Sequence, residues 1–178
     1  MLAGLVGLFL LTVVLLAVIG GRSAGGTSDA PRGGQGQDVD GIRCESSEQL
    51  AYHIHQHLSI LVDGQPQTIP AFIGIPGGPI LPRCIYWLHT HDTTGVIHVE
   101  SPGQALYKLG NFFDIWGQPL KRTRIATYPV TDGQLNMFVD GHQYGGDPRD
   151  ILLHAHTQIV LEIGQPVAPP QFTFPSGL

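Results

Sequence analysis

Charge is what this sequence has least of. Only 13% of its 178 residues are Asp, Glu, Lys or Arg, against roughly 25% in ordinary soluble domains. The few charges present, 9 Lys+Arg against 14 Asp+Glu, give a net charge of −5. No excess of positive charge exists to displace counterions from phosphates, which excludes a nucleic-acid partner read through a basic surface. Two Cys are too few for a zinc ribbon or a disulfide-dense miniprotein. Methionine is as scarce, and Met137 is remote from Cys84, so the thiolate, imidazole and thioether set of a blue-copper centre does not assemble. No H-E-x-x-H and no phosphate-cradling P-loop occur either. Ser59 shares a strand face with His57, but nothing in the text supplies the oxyanion donors that nucleophilic catalysis needs.

What the chain does have begins with an uncharged start. Residues 1–21 read MLAGLVGLFLLTVVLLAVIGG, with no charged side chain before Arg22. A helix rising about 1.5 Å per residue over that length crosses a hydrocarbon core of about 30 Å. The run is longer than a signal-peptide core, with no basic residue before it and no A-x-A at its end, so a retained single-pass transmembrane anchor is expected. Ala3 and Gly7 form a small-xxx-small pair that lets another helix approach closely. Residues 22–41 are rich in Gly, Ser and Asp, lack apolar periodicity, and are expected to form a flexible tether.

Residues 42–164 read as an antiparallel β-sandwich with one short helical insertion, and 165–178 as a Pro-rich extended tail. Residues 52–62 alternate, placing Ile54, Leu58, Ile60 and Val62 on one face and His53, His55, His57 and Ser59 on the other. Asp63-Gly64, the 92–95 segment DTTG and Asp140-Gly141 supply three hairpin turns. The third follows a strand at 135–139, and a long strand pattern runs over 151–163. Ser101, Pro102 and Gln104 match the start of a helix whose stripe is Leu106, Leu109, Phe112, Phe113 and Trp116, ended by Gly117. Phe112 and Trp116 on this helix, and Phe172 and Phe174 in the tail, are candidate partner-docking aromatics.

The nine His are the chemical signal. Eight fall in strand-like text: His53, His55 and His57 in HIHQH, His89 and His91 in LHTHD, His98 in IHVE, and His154 and His156 in LHAHT. A strand repeats every two residues, so H-x-H points both imidazoles to one face about 7 Å apart. Such pairs can converge on copper or zinc, with Asp92 and Glu100 as supporting carboxylates. A non-haem iron site of His98, Glu100 and His154 or His156 would also have the right residue types. Cys44 and Cys84 are expected to form a disulfide, as a lone pair does outside the cytoplasm.

These features predict a domain held at an inner (cytoplasmic) membrane, lying in the periplasm or outside the cell. Its expected partners are the lipid bilayer and the subunits of an integral membrane complex. The leading expectation is an accessory, non-enzymatic subunit of a larger assembly, for example one that transfers electrons or transduces energy. A tethered copper- or zinc-handling protein is the alternative, and a non-haem metalloenzyme the third.

Overall fold

A computed structural model describes residues 33–178. The expected anchor over 1–21, with Ala3 and Gly7, lies outside the described residues, as does most of the tether. Among the described residues no helix is long and apolar enough to cross a membrane.

Among the described residues the structure is mainly β, with one α-helix. In chain order it comprises β1 (Cys44–Glu45), β2 (Tyr52–Val62), β3 (Gln65–Gln67), β4 (Ile85–Tyr86), β5 (Leu88–His89), β6 (Val96–Ser101), α1 (Leu109–Trp116), β7 (Leu120–Lys121), β8 (Arg124–Ile125), β9 (Tyr128–Pro129), β10 (Leu135–Val139), β11 (His142–Gln143) and β12 (Gln158–Ile163). Seven strands make the main sheet, ordered β11-β10-β12-β2-β6-β5 with β3 paired to β2. The sheet is mixed rather than antiparallel throughout, because β12 runs parallel to β2 from Gln158↔His57 to Ile163↔Val62. Parallel neighbours need a long crossover, and nearly all the rest of the domain lies between these two strands.

Alternation along β2 gives the sheet two unlike faces. One carries Leu58, Ile60, Ile97, Val99, Leu88, Ile159, Leu161 and Met137, all buried. It shares a single core with Leu109, Phe112, Phe113 and Ile115 of α1 and with Leu120 and Ile125 of the small β7-β8-β9 sheet. The cover over the apolar face is therefore a helix and a three-stranded ribbon, not a second large sheet. Both Asp-Gly turns hold their two residues in the left-handed region, Asp63 and Gly64 at φ 49° and 75° and Asp140 and Gly141 at 51° and 76°. That is the backbone a two-residue hairpin of this twist requires.

Two further expectations are corrected. The helix starts at Leu109, not after Ser101, with the Lys108 backbone N–H donating to Asn111 Oδ1 at 2.9 Å. Ser101 ends β6 and its hydroxyl donates to the Gly103 carbonyl, leaving Leu106 outside the helix and 74% exposed. The 151–163 strand is shortened to Gln158–Ile163 for a related reason. Residues 107–109 and 151–153 pair with each other: the Leu109 N–H donates to Ile151 O and the Leu153 N–H to Tyr107 O. The chain then turns through His154–Thr157, with His156 at φ 61°.

The end of the expected tether is docked. Gly34 N–H donates to Ile115 O at 2.7 Å, Gly36 N–H donates to the Tyr86 hydroxyl, and that hydroxyl donates to Gln37 O. Cys44 and Cys84 form the expected disulfide, their Cα atoms 5.3 Å apart, clamping β1 to β4 beside this strap.

Candidate metal centre

Strand register builds the centre. His55 of β2 lies opposite His98 of β6, which lies opposite His89 of β5, so three imidazoles stand in one row across three strands. One step along the strands, His53 faces Glu100. Directly paired side chains on a sheet face have Cβ atoms about 5 Å apart, close enough for ring nitrogens to converge. His91, two residues beyond His89, folds back over the row: its Nε2 is 3.1 Å from His89 Nε2. His91 also lies with its ring centroid 4.5 Å from that of His98.

Two groups of potential ligand atoms result, each within 4.8 Å of one another: His89, His91, His98 and Glu100, and His53, His55 and His98. Tetrahedral zinc with bonds near 2.0–2.1 Å needs ligand atoms about 3.3 Å apart. His53 Nε2 is 3.2 Å from Glu100 Oε1, His98 Nδ1 is 3.4 Å from the same oxygen, and His89 Nε2 is 3.8 Å from Glu100 Oε2. Little closure separates this arrangement from coordination distances.

The protonation pattern suits an ion as well. His89 is wholly buried, and its Nδ1–H donates to the Tyr86 carbonyl at 2.8 Å. A carbonyl only accepts, so the proton sits on Nδ1 and the Nε2 lone pair of the neutral ring faces the cluster. A backbone acceptor on the far nitrogen is the usual way a protein orients a metal-binding imidazole. Burial pushes the pKa of His89 down to about 4 despite the opposing pull of Glu100. Burial, then the charges of His98 and His53, does the same to His55. Both rings are neutral near pH 7, as ligands must be. Glu100 is 3% exposed. Burial would raise its pKa, but His98, whose Nδ1 lies 3.4 Å away, and the surrounding imidazoles outweigh that and hold it below the ordinary value. The carboxylate is therefore anionic inside a ring of histidines.

The same cluster contains unpaired buried atoms. His55 Nε2, His98 Nδ1 and Glu100 Oε2 are inaccessible to water and have no hydrogen-bond partner. Each orphaned buried polar atom costs about 1–3 kcal/mol; metal ions held by the two ligand groups would satisfy all three. The centre opens to solvent on the side of His53 and His91, and Glu48 reaches it there, its Oε1 3.6 Å from His91 Nε2.

Not every predicted ligand arrives. His57 shares the sheet face but lies beyond the paired row. Its Nε2–H donates to Thr94 O at 2.9 Å, and Phe172 stacks on its ring at 3.7 Å. His154 and His156 fall in the turn before β12. His156 Nε2 is taken by the Leu178 carbonyl and its ring is stacked on Phe174, so the iron triad drawing on either residue is not assembled. Asp92 accepts from the Thr94 N–H and hydroxyl, an Asx turn that shapes the β5–β6 loop rather than a ligand position. Phe112 is fully buried and cannot dock a partner, while Trp116 packs half-buried against it and Phe113. Phe172 and Phe174 fold back onto the domain's own histidines, and Gln158 holds Phe172 by two hydrogen bonds to its backbone. Glu48 and the Tyr86 carbonyl also serve the centre, and neither was legible in the sequence. The first sits in a loop with no pattern around it, and a backbone acceptor leaves no trace in side-chain text.

No protein-family profile, no curated protein and no solved structure matches this chain.

Proposed function

We propose that this protein binds a divalent transition-metal ion, zinc or copper, between β5 and β6 through His89, His91, His98 and Glu100. The observation that carries the reading is the buried His89–Glu100 pair. A carboxylate and an imidazole lone pair are held out of water, aimed at each other's neighbours, with the imidazole's other nitrogen tied to a backbone carbonyl. Imidazole-rich sets with one carboxylate suit both metals. The opening beside His53 and His91 favours an ion that can enter and leave, and hence a metal-handling role. Residues 1–21 would hold this domain at a membrane beside the subunits of a larger complex; the uncharged apolar run and the disulfide support that part of the proposal.

The test uses the full chain, purified in mild detergent through a tag free of histidine and stripped with chelator. Zinc or copper(II) should be taken up at micromolar or lower concentration, and His89→Ala should lose that uptake. Protein that binds neither metal at micromolar levels would refute the metal reading. Sizing in the same detergent tests the complex, and a native chain that elutes alone refutes it.

A further inference from the structure

The histidine face carries more ligands than one ion can use. A tetrahedral ion takes four donors, whereas His53, His55, His89, His91, His98 and Glu100 all belong to the two convergent groups. The atoms divide without strain. On the β5 side His89 Nε2 and His91 Nε2 lie 3.1 Å apart, and Glu100 Oε2 is 3.8 Å from His89. On the β2 side His53 Nε2 is 3.2 Å and His98 Nδ1 3.4 Å from the other carboxylate oxygen, Oε1, with the His55 ring 4.5 Å from His53 and 4.6 Å from His98. The unpartnered His55 Nε2 is needed by no hydrogen bond of the fold, although the residue is only 6% exposed. A single-ion centre at His89, His91, His98 and Glu100 leaves that buried nitrogen unexplained.

We infer that the site holds two divalent ions, bridged by Glu100, the first on His89 and His91 and the second on His53, His55 and His98. This rests on the metal-binding reading above and extends it. Glu100 offers one oxygen to each side, the arrangement by which a carboxylate spans two ions about 3.5–4 Å apart. Its burial keeps both oxygens from water, and its charge offsets the repulsion between the cations. His98 belongs to both ligand groups, so a lone first ion can borrow it. Loading the second ion then takes His98 back, and the two cations repel one another. Both effects make the second ion bind more weakly than the first, in a separate step. The ions should be of one kind or two, since both sides are dominated by imidazole.

The experiment is a copper(II) titration of the stripped full chain in mild detergent, read by metal analysis after gel filtration and by electron paramagnetic resonance. The wild-type chain should retain two coppers. Its resonance should grow to one equivalent as an isolated-copper signal and then lose intensity as the second ion couples to the first. His55→Ala should retain one copper and keep the isolated-copper signal throughout. His53→Ala, at a more exposed position, should do the same, which guards against a folding defect of the buried substitution. One copper in the wild-type chain overturns the two-ion inference and leaves the single-ion reading standing. Two coppers that stay magnetically independent, or that His55→Ala and His53→Ala both leave in place, also overturn it. A wild-type chain with no copper at all overturns both readings.

Discussion

Acid should destabilise the metal-stripped protein well above the pH at which carboxylates titrate, and His89 sets the size of the effect. An unfolded histidine titrates near 6.5, whereas burial holds His89 at about 4 in the folded chain. Between those values the unfolded chain binds the extra proton, so stability falls as pH falls through about 6.5 and the loss is complete below about 4. From about pH 7.5 to about pH 5.5 the linkage integral for one such group is about 1.4 kcal/mol, approaching about 3 kcal/mol at full protonation. His55 shifts in the same direction for the same first cause, burial, and adds to the slope. Glu100 does not offset it. Its pKa is depressed, so its own contribution is fully present above its unfolded value near 4.5 and is lost only below that. The assay is urea unfolding followed by tryptophan fluorescence, in chelator, at several pH values across this window. Stability that stays level or rises between about pH 7.5 and about pH 5.5 would refute the argument that these rings are held neutral by burial.

Three further outcomes are expected. Replacing Cys44 and Cys84 by Ser releases a 40-residue loop and should cost about 4 kcal/mol by the chain-entropy account; a change in the urea midpoint worth less than about 1 kcal/mol would contradict it. Phe112→Ala empties a wholly buried position and should cost about 3–5 kcal/mol, whereas a near-neutral result would fit a surface aromatic. Gly74→Ala places a methyl 2.5 Å from Leu88 O and 3.1 Å from His89 Cβ at φ 75°. It should weaken zinc uptake about tenfold or more by displacing β5, as a shift worth about 1.4 kcal/mol does; unchanged affinity would detach that contact from the centre.

Period-two text was the most legible part of the fold. Residues 52–62 alternate cleanly because β2 separates an apolar core face from a histidine face, and the Asp-Gly pairs marked its hairpin and the β10–β11 hairpin because few other residues accept two consecutive positive φ angles. The extent of β12 was not legible. Leu153 continues its apolar alternation, but it serves the same core from a different partner, the extended stretch before α1. Period alone cannot tell two pairings of one apolar face apart. The helix start failed similarly: Ser101-Pro102 has the chemistry of a cap, yet Ser101 is wanted opposite Tyr52 at the end of β6, and pairing outweighs a cap.

The centre was half legible for a deeper reason. H-x-H fixes that two imidazoles share a face, which is a property of one strand; whether three strands share that face depends on register across the sheet. The β2–β6–β5 register brings His55, His98 and His89 into a row, while LHAHT, with the same spacing, contributes nothing because its residues precede β12. What separates them is strand pairing. HIHQH runs directly into the alternating Leu58, Ile60 and Val62 on one uninterrupted strand, and LHTHD and IHVE flank the loop across which β5 pairs with β6. LHAHT lies instead in the turn before β12, where its histidines belong to no strand of the sheet. A His pair therefore becomes a ligand candidate when its strand pairs with neighbours that also carry histidines on that face, because the same packing that buries one face holds the other in register.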